Sequence, residues 1–234
     1  MKLAILVTGM YREFYTSIQS WGFIDSMDCD FYFSTWNKSI QKNERLGFDL
    51  NEDVTSEMIK KLIPHANVEV LKQSDYDFSS DVHYHNAKQI FHWKNAYRMM
   101  LESGIEYDMI MITRTDNYKS YSHSFREFNN LNKPDRIYGT TPIYISGPSQ
   151  YFLVDYFFIG AFEPMSKMIT TLPDQMPGNI HGDLARHLLS IGLFVDEIEG
   201  FNLCLARPNT RDIFPLNMEI IHNKFREWGI NTGN

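Results

Sequence analysis

Cysteine is scarce. The chain has 234 residues and two cysteines, Cys29 and Cys204, far apart. No Cys-x-x-Cys or similar spacing occurs, so neither a zinc knuckle nor a disulfide framework can be read from them. Both lie in apolar surroundings and are expected to be reduced core residues. Basic runs are also missing, and the formal charge is −7. Non-specific nucleic-acid binding needs clustered cations to displace counterions, so no stable nucleic-acid partner is expected, although net charge is silent on local patches. No apolar run is long enough to cross a bilayer. The amino-terminal KLAILVTGM is too short and has no cleavage-like sequel, so it reads as the first strand of a cytoplasmic protein. Gly-x-Ser-x-Gly, Walker and Gly-x-Gly-x-x-Gly patterns are absent, which argues against hydrolase, P-loop and ordinary dinucleotide-binding readings. His83 and His85 alternate with no third ligand nearby, so a zinc site is not expected. His181 and His187 lack the i, i+4 helical spacing and read as ordinary.

What the chain does have is core material. Hydrophobic residues make up 43%, and aromatics reach 15%. That supports one sizeable core in a single domain. Most of the rings are expected in the core, with some free to line a cleft that stacks on a sugar or a base.

The pattern along the chain alternates strand and helix from the start, which favours a mostly parallel α/β sheet. Strands are expected at 3–7, 29–36, 66–71, 108–113, 136–138 and 151–160, with a late strand in LFVDEI. Helices are expected at 13–24, at 55–62 opened by Thr55, at 86–103, at 164–172 with Pro164 in its first turn, and at 181–191. The long helix places Ile90, Trp93, Ala96, Tyr97, Met100 and Leu101 on one face, and Gly104 follows it as a stop. Residues 37–52, 74–85 and 140–150 read as loops, 125–132 as a short polar helix, and the tail beyond 207 as irregular before a helix-like MEIIHNKF.

Two segments carry the chemistry. KLAILVTG runs from a buried strand into Gly9, Tyr11 and Arg12. DMIMITRTDNY ends a second buried strand with Arg114 and Asp116. In an open α/β sheet, ligands bind beyond the carboxyl ends of the strands. A carboxylate there suits a hard divalent cation and, through it, a phosphate. The plainer alternatives are a strand-end aspartate closing a turn and an internal Arg–Asp pair.

Taken in order, LAILVTGMYR, DCDFYFSTWN, HWKNAYRMMLESG, YDMIMITRTDNY, DYFFIGAFEPMSKM and HGDLARHLLSIG resemble nucleotide-sugar glycosyltransferases of the GT-A type, as found among bacterial and viral surface-polysaccharide enzymes. The resemblance implies a Rossmann-type sheet in one domain, with a donor half over about 1–118 and an acceptor half over about 119–234. It also implies Mn²⁺ or Mg²⁺ as cofactor, a nucleotide-sugar donor, and a glycan, lipid-linked or modified-base acceptor. Location would be cytoplasmic, in a host cell if the source is viral. The family's Asp-x-Asp metal motif falls on Arg114-Thr115-Asp116, so arginine replaces the first carboxylate. Asp116 and His222 would then be the metal ligands, or Arg114 would itself neutralise the diphosphate.

Other roles follow the same likeness. Gly9, Tyr11 and Arg12 would receive the nucleotide, through close backbone approach, ring stacking and phosphate pairing. Lys94 would lie near the donor, or simply be a solvated helix lysine. Asp183, in the first turn of its helix, would be the general base that deprotonates the acceptor, or a carboxylate complementing the helix dipole. Asp155, inside an aromatic strand where an unpaired carboxylate is unfavourable, is its rival. Two other readings stay open: a viral enzyme that glycosylates hydroxymethylated DNA bases, and a non-catalytic relative that only binds a nucleotide sugar or glycan.

Overall fold

Strand β1 (Lys2–Thr8) is buried along almost its whole length. This is why its sequence is a continuous apolar run, as expected of a strand covered on both faces. The computed structural model describes residues 1–18, 20–21, 27–43, 48–78, 84–121, 131–139, 143–144, 151–152, 157–178, 180–198 and 201–205. β1 lies inside a seven-stranded sheet with β2 (Asp28–Trp36), β5 (Asn67–Leu71), β6 (Met109–Thr113), β8 (Arg136–Gly139), β11 (Phe157–Ala161) and β12 (Phe194–Glu197). The order is β12-β8-β11-β6-β1-β2-β5. β1, β2, β5 and β6 pair parallel, as do β8 and β12, while β11 runs against both of its neighbours. The architecture is therefore a mostly parallel α/β sheet.

Alternate residues of the strands build a core on each face. One face packs Leu3, Ile5, Val7, Phe33 and Met109 against Phe14 of α1 (Phe14–Ile18), Trp21, and Ile59 of α2 (Ser56–Lys60). The other packs Ala4, Leu6, Tyr32, Ile110 and Ile112 against α3 (Tyr84–Glu102), α4 (Phe162–Thr171) and α5 (Ile180–Ser190). Thr55 caps α2 as expected, its hydroxyl accepting from Met58 N at 3.3 Å. On α3, five of the six expected face residues are buried. Leu101 is 51% exposed, because a helix turns about 100° per residue and carries it past the face of Met100. No helix among the described residues is long and apolar enough to cross a membrane.

Three departures from expectation share one cause, namely strands that pair away from the main sheet. β3 (Lys38–Asn43) pairs antiparallel with β4 (Phe48–Asp53), where a loop was expected over 37–52. Where β3 starts and β4 ends they are held by a 2.6 Å Lys38–Asp53 ion pair, and Ile40 is 53% exposed. A two-stranded ribbon outside the core needs no apolar alternation, so periodicity could not reveal it. β7 (Asn117–Tyr121) pairs with β13 (Phe201–Leu205) in a second ribbon. The single strand expected over 151–160 is divided. Tyr151–Phe152 (β10) pairs with Ile143–Tyr144 (β9), and only β11 joins the sheet.

Under α3 lies a buried polar network. Asn95 donates its two amide hydrogens to Ser34 Oγ (3.0 Å) and to Glu69 Oε2 (2.7 Å). Ser34 Oγ also shares a hydrogen bond of 2.7 Å with Nδ1 of His92. His92 is the neutral imidazole of this network. It has no exposure, and burial pulls its pKa down to about 3. Because the folded pKa is depressed, this contribution to stability is full above the unfolded value near 6.5 and falls as pH drops toward 3. Between pH 7 and pH 5 it should remove about 2 kcal/mol from the unfolding free energy. Urea unfolding of the wild type and His92→Gln at both pH values checks this. The variant should lack that part of the loss, and equal pH slopes would contradict the assignment.

Candidate functional site

The sheet changes direction between β1 and β6. From β1 the chain moves to β2 and β5 on one side, then α3 carries it back across β1 and β2 to β6 on the other. Such a switch point leaves a crevice beyond the carboxyl ends of the two strands. β1 and β6 end side by side, with Val7 opposite Thr113. The Gly9–Arg12 loop and the Arg114–Asp116 turn therefore leave the sheet side by side at that edge.

Gly9 turns the chain with φ of +94° and donates to Ser34 O at 3.1 Å. A Cβ there would meet nothing within 4 Å, so the backbone conformation, not crowding, asks for glycine. Thr115 joins the two loops. Its hydroxyl accepts from Arg12 N (2.8 Å) and donates to Met10 O (3.1 Å), and its carbonyl accepts from Ser17 Oγ. Below it, Trp21 Nε1 donates to Asn117 O at 2.8 Å, and Asn117 Nδ2 donates to Thr113 Oγ1 at 3.0 Å. Sequence reasoning missed Thr115, Ser17 and Asn117. The signal for Thr115 and Asn117 was a run of polar side chains directly after the buried strand β6, and Ser17, within α1, had none.

Asp116 is the buried centre of the site, its side chain 1% exposed. Arg114 meets it with two parallel bonds, Nε to Oδ1 at 3.0 Å and Nη2 to Oδ2 at 2.8 Å. Arg12 Nη1 lies 3.8 Å from Oδ2. Both arginines keep about a fifth or more of their side chains exposed (20% and 24%). Tyr11 is half-buried, its ring edge-on to Phe14 at 5.9 Å. Its hydroxyl is pushed up to about 12, first by burial and then by the charges of Glu52 and Glu13.

Among the described residues, the donor set around Asp116 does not fit a divalent cation. Hard cations collect several oxygen donors, usually with excess negative charge. Here one carboxylate stands between two guanidinium groups. Among the described residues, no group of three or more His, Cys, Asp or Glu is placed to share a metal. His222 lies outside the described residues, as does Asp155.

Asp183 is 6% exposed, in the first turn of α5. One oxygen accepts from Gly178 N at 2.5 Å, and the other pairs with Arg186. Gly178 O accepts from Asn86 Nδ2 at 2.6 Å. α3 runs from the carboxyl end of β5 to the amino end of β6, so Asn86 in its first turn brings the Asp183 loop to the same edge of the sheet as the crevice. Lys94 reaches Asp174 at 2.7 Å, on the loop after α4, and is engaged there. At the end of β2, Trp36 stacks on Phe91 (5.7 Å, 3°), and Phe91 meets Tyr76 at 4.7 Å. These rings pack on one another, and Tyr76 is 37% exposed.

The chain matches no known protein family and no curated protein sequence. Among solved structures it is similar to the nucleoside-diphosphate-sugar pyrophosphorylase from Vibrio cholerae RC9, at 10% identity and a TM-score of 0.44, covering 91% of this chain and 99% of that one. A likeness that distant carries no argument about this chain's chemistry.

If Thr115 ties the two loops, Thr115→Val should lower stability by about 1–3 kcal/mol, since it leaves the Arg12 N–H without its acceptor. Thr115→Ser should recover most of that in urea unfolding. A valine variant as stable as the wild type would show that the hydroxyl does not matter.

Proposed function

We propose that this protein is a glycosyltransferase that moves a sugar from a nucleotide-sugar donor to an acceptor hydroxyl. The observation that carries the reading is the meeting of the Gly9–Arg12 loop with Arg114 and Asp116 at the switch point between β1 and β6. Such a crevice is where α/β sheets bind nucleotides, and a cationic rim suits a donor whose leaving group is an anion. Gly9, Tyr11 and Arg12 would hold the nucleotide, and Arg114 and Asp116 would form the opposite wall.

In the reaction, the acceptor oxygen forms a bond to the anomeric carbon. The bond from that carbon to the diphosphate breaks, and the acceptor proton passes to a base. Charge grows on the departing diphosphate, so fixed cations at its position lower the barrier, and holding donor and acceptor in line contributes the rest. The acceptor would be a glycan, a lipid-linked sugar or a modified base.

For the base, Asp183 is the candidate within the described residues and Asp155 the candidate outside them. Asp183 sits at the correct edge of the sheet, although its carboxylate also holds Gly178 and Arg186.

The reading is tested with a panel of nucleotide sugars. One donor should raise the melting temperature and release free nucleoside diphosphate when an acceptor glycan is supplied. Failure of every donor to bind or react would remove the proposal. A general base contributes about 10²–10⁴-fold, so Asp183→Asn should lower kcat by at least about a hundredfold with KM little changed if Asp183 is the base. If it serves only its loop, the melting temperature should fall and kcat should not, and Asp155→Asn becomes the variant to measure.

A further inference from the structure

We draw no further inference here: the strongest candidate, the cluster of Trp36, Tyr76, Phe78 and Phe91 side chains where β2 and β5 end, is closed by its own ring-to-ring packing, and nothing in the structure shows what covers the exposed side of Tyr76.

Discussion

The site depends on one buried charge. Asp116 has been taken out of water at the end of β6, and an uncompensated carboxylate there would be strongly unfavourable. Its need for partners fixes Arg114 in a bidentate geometry and draws Arg12 across from the other loop. Two flexible side chains are thus held near one point before any ligand arrives. The cost of ordering the two arginines is met in folding.

The sheet makes the arrangement possible. β1 and β6 are buried along their lengths, so their ends are set by the core and cannot drift. Hydrophobic packing on both faces holds the strands, and Thr115 then stitches together the loops that leave them. Packing settles the position of the loops to within a strand register, and a few hydrogen bonds settle the rest. The Asp183 loop reaches the same edge by a separate route, through Asn86 at the start of α3. Two elements distant in sequence are thereby brought to the same edge of the sheet.

Much of this was legible in the sequence, and the reasons are physical. A strand covered on both faces must be apolar throughout, so KLAILVT and MIMIT stood out, and the residues just after them were natural candidates. The hydroxyl of Thr55 and the face of α3 followed from capping and helical period. The pairing of β3 with β4 was not legible, because its described positions carry no apolar alternation, exposed Ile40 lying next to buried Ser39. Within the site, the types Gly9, Arg12, Arg114 and Asp116 could be picked out, but not their relations. Arg114-Thr115-Asp116 read as a metal motif with one substitution. Only three dimensions show that Arg114 and Arg12 both close on Asp116. Thr115 was invisible for the opposite reason, since a threonine after a strand has many ordinary uses.

The central claim is that the crevice between β1 and β6 receives the diphosphate of a nucleotide sugar. A crystal structure of the protein grown with the nucleoside diphosphate it binds tests this most directly. The account predicts phosphate oxygens within hydrogen-bond reach of the Arg12 and Arg114 guanidinium groups, with the nucleoside beside Gly9 and Tyr11 and Asp116 still between the arginines. A diphosphate bound elsewhere, for example over the Trp36, Tyr76 and Phe91 rings, with both arginines still turned to Asp116 alone, would contradict it.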